Sequence, residues 1–174
     1  LITLVGGSQK PRTGKHMQEL GIIRKSGLAV KDGRIAAVGK TPDVTKGFRA
    51  ENVISANGKV VLPGFVDSHT HLVFAGSRED EFQIRVEGAS YMEILSAGGG
   101  ILKTVRETRK ASVEKLVESG LKTLDVMLEH GTTTVEAKSG YGLTTKDELK
   151  ILEAMKRLNQ LHCVDVASTF LGAH

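Results

Sequence analysis

The 174-residue chain is 40% hydrophobic and 25% charged, a balance that supports one domain with a sizeable core and excludes disorder as a default. Its net charge of +4 is scattered, and aromatic residues make up 4% with no Trp, so neither a basic nucleic-acid arm nor a base-stacking platform is supported. The single Cys163 cannot close an internal disulfide and reads as a small core residue in a reducing compartment.

Leu1 to Val5 is apolar, but it lacks a basic leader and is far shorter than a secretory core. No apolar run approaches the roughly 20 residues of a membrane-spanning helix, so the expected location is cytoplasmic and no membrane partner is expected. Beginning at Leu1 and stopping at His174 directly after an apolar run, the chain reads as a stretch of a longer protein. Residues 1–62 carry β signals. Leu1 to Val5 comes first, then Gly27 to Val30 and Ile35 to Val38 around Lys31-Asp32-Gly33-Arg34, where Asp-Gly between apolar runs is a strong hairpin signal. Lys10 to Gly21 is polar, holds Pro11 and reads as a loop, while strands at Asn52 to Ile54 and Lys59 to Leu62 would complete a small sheet.

The period then changes. Phe65, Val66 and Leu72-Val73-Phe74 flank Asp67 to His71, and such a near-continuous apolar run fits a strand buried on both faces. From Ser112 to His130 the residues Val113, Leu116, Val117, Leu121, Leu124, Met127 and Leu128 recur at helical spacing, with Gly131 as a stop. Thr132 to Val135 is a β-branched run, Thr145 to Glu148 reads as a capping box opening a helix through Leu161, and Val164 to Leu171 makes a third strand. Strand, helical stretch, strand, helix, strand asks for parallel strands with crossovers, hence an α/β barrel begun and not closed.

In Asp67-Ser68-His69-Thr70-His71 the two histidines are two residues apart in a strand, so both rings point to one side and reach one ion. Imidazole suits Zn²⁺ and Fe²⁺; the bland alternative is two unrelated histidines, although polar rings are costly in a buried strand. His174 ends the third strand, and Lys138 and Tyr141 follow the second in Glu136-Ala137-Lys138-Ser139-Gly140-Tyr141-Gly142. That edge of a parallel α/β barrel is where catalytic side chains collect. On spacing alone His174 is also readable as a chance terminal His, and the glycine loop as a flexible turn. Arg78 could clamp a carboxylate with its planar fork, but amid Glu79, Asp80 and Glu81 it reads first as a solvated helix start. Gly98-Gly99-Gly100 lacks the ending of a phosphate loop. His16, His130 and His162 read as surface residues.

The segments from Pro63 through His69, His71 and Phe74 to Arg78, from Glu136 to Leu143, and from Thr169 to His174 closely resemble the imidazolonepropionase family. Residues 63–71 alone would indicate only the amidohydrolase superfamily. The continuation through Arg78, with Lys-Ser-Gly-Tyr-Gly and Phe-Leu-Gly-Ala-His, is far more specific. The resemblance spans nearly the whole chain and is weakest over residues 1–25.

It implies an amidohydrolase-type (β/α)₈ TIM barrel over residues 63–174, of which about three β/α units are present, preceded over residues 1–62 by part of a small β-sandwich. It implies metal-dependent hydrolysis of the ring amide of 4-imidazolone-5-propanoate to N-formimidoyl-L-glutamate in histidine degradation. One divalent metal ion, Zn²⁺ or Fe, would be held partly by His69 and His71, and the substrate would be contacted by Arg78, Tyr141 and His174. Lys138 would be a loop residue rather than a carbamylated bridging lysine. The acidic general base and the remaining metal-binding His and Asp would lie on later strands, beyond His174. A whole barrel needs roughly 250 residues, so this span by itself would lack a complete active site. Oligomeric state stays open, a homodimer being one option. The rival readings are another amidohydrolase, either a deaminase or a cyclic-amide hydrolase, and a non-catalytic amidohydrolase-like scaffold.

Overall fold

A computed structural model of the chain describes residues 1–6, 11–172 and 174. Lys10 of the expected loop and Ala173 of the Phe-Leu-Gly-Ala-His run lie outside the described residues. The described chain divides into two compact units, Leu1–Pro63 and Gly64–His174.

In the first unit the Asp-Gly signal is realised. Strands β1 (Ser26–Lys31) and β2 (Arg34–Lys40) pair antiparallel. The turn between them puts Asp32 at φ 51° and Gly33 at φ 72°, the left-handed conformations that Asp and Gly adopt most cheaply in a two-residue hairpin. Helix α1 (Thr41–Gly47) follows, opened by Pro42 in its first turn. It rests Val44 over the bare backbones of Gly27 and Gly39. The other strands expected here are not strands. Leu1 to Val5 makes an isolated bridge, Ile2 to Ile22, with hydrogen bonds from the Thr3 and Leu4 N–H groups to the Gly21 and Leu20 carbonyls and from the Ile2 N–H to the Val61 carbonyl at 2.8 Å, but no strand. Asn52 to Ile54 and Lys59 to Leu62 have no ladder. Val53 and Ile54 are exposed, so their β-branched propensity finds no neighbouring strand to act through. The polar loop carries one short 3₁₀ turn, Gly14–Gln18.

The second unit holds a parallel sheet of order β3-β4-β5, from β3 (Phe65–Thr70), β4 (Thr132–Lys138) and β5 (Asp165–Thr169). Four helices lie between β3 and β4: α2 (Glu79–Val86), α3 (Tyr91–Ser96), α4 (Ile101–Lys110) and α5 (Val113–Glu129). One, α6 (Thr145–Leu161), joins β4 to β5. Helix α5 starts where the Ser112 hydroxyl accepts from the Lys115 N–H at 3.2 Å and stops at Gly131, φ 93°. Its buried stripe, Leu116, Val117, Gly120 and Leu124, faces Ile151, Ala154, Met155 and Leu158 of α6. Both helices cover the sheet face that carries Val135 and Ala137 of β4.

Several local expectations are corrected. The cap of α6 is Thr144, which accepts from the Asp147 N–H at 3.2 Å, not Thr145 with Glu148. Strand β4 runs on to Lys138, so that lysine is a strand residue rather than a loop residue. β3 is not buried on both faces: Phe65 and Val66 are 54% and 68% exposed, and burial begins at Leu72 and Val73. The helices pack over β4 and β5, and β3 has a strand on one side only among the described residues. Cys163 is exposed rather than in the core. His162 is no surface residue, its side chain being 9% exposed. Its Nδ1 accepts from the Val164 N–H at 3.0 Å, which puts the proton on Nε2, 3.2 Å from an Asp125 oxygen. His16 and His130 are exposed as expected. No described helix is long and apolar enough to cross a membrane.

Candidate active site

The three parallel strands end side by side. Thr70 pairs with Ala137 and Lys138 with Thr169, so the residues that follow each strand emerge at one edge. His69 is in β3 and His71 directly follows its last residue, Thr70, with the two ring centroids 5.7 Å apart. The two rings are neighbours, although His69 alone lies within the strand and the register shifts between Asp67 and Thr70. From the segment after β4 comes Tyr141, 5.0 Å from the His71 ring, and from the segment after β5 comes His174, stacked on His71 at 4.4 Å and 28°. Tyr141 and His174 meet edge to face at 5.2 Å, and Phe74 closes on Tyr141 at 6.1 Å. These separations are those of favourable aromatic pairs.

The ring nitrogens can be assigned from their partners. His174 Nδ1 lies 3.0 Å from the Gly140 carbonyl oxygen. A carbonyl only accepts, so Nδ1 donates and Nε2 is left for another partner. His71 is half-buried, and its Nδ1 is buried with no hydrogen-bond partner. Burial, then the neighbouring His174 and His69, lower its pKa from the ordinary imidazole value, which favours the neutral ring, the form that ligates metal.

Arg78 sits at the start of α2 and is exposed. It lines a small cavity of about 90 Å³ together with Phe74, Gly76, Ser77, Thr104 and Tyr141. Arg78 and Tyr141, 63 positions apart in sequence, thus share one hollow. A larger hollow of about 350 Å³ between α2, α3 and α4 is lined by Asp80, Glu81, Glu93 and Lys103 among others and includes none of the five candidate residues.

Two acidic residues were missed by sequence reasoning. Glu136 of β4 accepts from Lys138 Nζ and, at 2.8 Å, from Thr169 Oγ1 of β5. The Lys138 hydrogen bond, then that of Thr169, holds its carboxyl below the usual carboxylate range. The alternation of β4 was the available signal, since Glu136 lies two residues from Lys138 and shares its face. Glu148 of α6 is 3% exposed and accepts from the backbone N–H groups of Gly142 and Leu143 at 2.7 and 2.8 Å. It had been counted as a cap. Among the described residues, no group of three or more His, Cys, Asp or Glu side chains could hold a metal ion.

No protein-family profile matches the chain. Individual proteins do. The imidazolonepropionase of Geobacillus sp. strain WCH70 is 51% identical over 178 residues, covering 100% of this chain and 42% of the relative. The imidazolonepropionase of Brevibacillus brevis is likewise 51% identical over 178 residues, with the same coverage of both chains. That of Thermoanaerobacter pseudethanolicus is 49% identical over 164 residues, covering 94% of this chain and 39% of its own. The resemblance to the imidazolonepropionases therefore holds along the whole chain, which spans about two fifths of the length of the curated relatives it matches.

Proposed function

We propose that this chain supplies the amino-terminal part of an imidazolonepropionase, which opens the ring amide of 4-imidazolone-5-propanoate by hydrolysis to N-formimidoyl-L-glutamate. The observation that carries the reading is the convergence of His71, Tyr141 and His174, from the ends of three different strands, within 4.4 to 5.2 Å of one another. Side chains gathered at the C-terminal edge of parallel strands are how barrel enzymes build their sites. In this reading residues 63–174 are the first three β/α units of a (β/α)₈ barrel, and residues 1–62 contribute to a small β-sandwich.

A divalent ion, Zn²⁺ or Fe, fits the residues present. His71 offers a buried imidazole nitrogen without a partner on a ring biased towards neutrality, and His69 stands beside it. Those two would hold the ion, and the rest of its ligands and the general base would come from outside this span, since no larger donor group occurs among the described residues. The chemistry such an ion supplies when bound is a water acidified towards a pKa of about 7 and a polarised carbonyl.

The chain's own residues do the rest of the binding. Arg78, at the mouth of the cavity it shares with Tyr141, would take the propionate carboxylate in a two-pronged grip. Tyr141 and Phe74 line the hollow and meet edge to face. His174, whose Nδ1 is committed to the Gly140 carbonyl, presents Nε2 to a polar atom of the substrate ring. The test is turnover by the full-length protein of imidazolone propionate against dihydropyrimidines. Hydrolysis of the former is expected; hydrolysis of dihydropyrimidines alone would replace this reading with that of another cyclic-amide hydrolase.

A further inference from the structure

Glu148 is a carboxylate taken almost wholly out of water, at 3% exposure, and it makes no ion pair among the described residues. Burying a charge is costly unless hydrogen bonds compensate it, and here the compensation comes from two backbone N–H groups on one oxygen. Oε1 accepts from Gly142 at 2.7 Å and from Leu143 at 2.8 Å, while Oε2 is buried with no partner. Nothing in helix geometry asks for this, because the cap of α6 is already made by Thr144 and Asp147.

The segment it grips is held from every side. The Gly142 carbonyl accepts from Arg109 Nε of α4 at 2.6 Å. A Cβ on Gly142 would stand 2.5 Å from the Glu148 backbone nitrogen, so this segment lies directly against the backbone at the start of α6. Leu143 is kept at φ 54°, a conformation a bulky residue adopts only when its surroundings impose it. The Gly142 N–H belongs to the peptide that joins it to Tyr141, so the bond to Glu148 fixes that peptide plane and with it the direction in which the Tyr141 ring leaves the chain.

We propose that Glu148 is a positioning residue for the substrate site: its buried carboxylate locks the Tyr141–Gly142 peptide and thereby sets where the Tyr141 ring stands between His71, His174 and the cavity lined by Arg78. The proposal rests on the reading of Tyr141 as a substrate-contacting residue. The acceptor's reach matters more than its charge. Gln at 148 keeps an acceptor at the same distance, Asp is one methylene too short, and Ala offers none.

The experiment uses the full-length protein in its wild-type form and as E148A, E148D and E148Q, each with Tyr141 intact and with Y141A. Amide hydrogen exchange at Gly142 and Leu143 is expected to quicken by about tenfold or more in E148A and E148D, with amides in the second half of α6 unchanged. Steady-state KM for imidazolone propionate should rise about tenfold in E148A and E148D and by no more than about threefold in E148Q, and E148A added to Y141A should raise it no further. If E148A does not fold, E148D carries the same comparisons. Exchange that stays at the wild-type rate, or E148A and Y141A effects that multiply, overturns the proposal, because a carboxylate with a merely structural role would lower the melting temperature without acting through Tyr141. If the wild-type protein does not turn over imidazolone propionate, the functional reading falls on its own, and the exchange measurement by itself decides the clamp.

Discussion

Gly140→Ala is expected both to destabilise the protein and to displace His174. Gly140 is buried at φ 128°, a conformation that costs an L residue about 1–3 kcal/mol. A methyl there would lie 2.6 Å from His174 Cβ and 2.8 Å from its Cγ. Ordinary carbon contacts sit at about 3.5–4.0 Å, so the His174 side chain has to retreat by roughly 1 Å. That retreat stretches the 3.0 Å hydrogen bond from His174 Nδ1 to the Gly140 carbonyl, a contact worth about 0.5–1.5 kcal/mol. Together the two effects destabilise by about 2–4 kcal/mol. They also pull the imidazole off its 4.4 Å stack on His71, and a misplacement of this size costs a catalytic site about a hundredfold. Urea unfolding and turnover of the full-length protein read the two separately. In an H174G background, which lacks both the opposing Cβ and the hydrogen bond, Gly140→Ala should cost only the backbone strain of about 1–3 kcal/mol. G140A that unfolds within about 0.5 kcal/mol of wild type and turns over normally would refute the reasoning.

His69→Ala in the full-length protein should abolish metal retention, and stoichiometric metal by elemental analysis of that variant would refute the ligand assignment. Arg78→Ala removes a charged hydrogen-bond partner of about 1.5–3 kcal/mol, so KM for a carboxylate-bearing substrate should rise by roughly one to two orders of magnitude; an unchanged KM counts against the clamp. Gly120→Ala gains about 1 kcal/mol of helix propensity but places a Cβ 2.6 Å from Leu158 Cδ1 in a side chain that is 0% exposed, and overpacking of about 1–3 kcal/mol should win. In a Leu158→Ala background the sign should reverse, which equilibrium unfolding of the four variants checks.

What was legible in the sequence is what is decided locally. The Asp32-Gly33 hairpin, α5 from its Ser112 cap to Gly131, and the β-branched start of β4 each depend on residues a few positions apart. So does the His69–His71 pair. Features decided by distant partners were not legible. The tandem Thr144-Thr145 offers two capping boxes, with Asp147 and Glu148 each three residues on, and local chemistry does not rank them. The tie is broken because the Glu148 carboxylate is taken by Gly142 and Leu143. The chemistry of the residues did not show the approach of Arg78 to Tyr141, which only the family resemblance implied: among three acids Arg78 reads as a solvated helix start, and the packing of the segment after β3 against that after β4 gives it a shared cavity. The exposure of β3 has the same origin: an apolar run states what a strand can bury, whereas the helices over β4 and β5 decide what it does bury.

The glycines of Ser139-Gly140-Tyr141-Gly142 show why composition alone misleads at such a site. A glycine-rich stretch after a strand suggests freedom of movement. Here each glycine is small because something else occupies the place of its side chain: the His174 ring beside Gly140 and the α6 backbone beside Gly142. Ser139, 1% exposed, adds a hydroxyl that accepts from the Leu171 N–H at 3.0 Å, and its own N–H donates to Thr169 at 2.9 Å. The segment after β4 is thereby tied to the one after β5, and through Gly140 to His174 itself. A segment so tied holds Tyr141 in one place between His71 and His174. Crowding, rather than open space, surrounds these two glycines, so a side chain at either must displace its neighbours: the His174 ring at Gly140, the α6 backbone at Gly142.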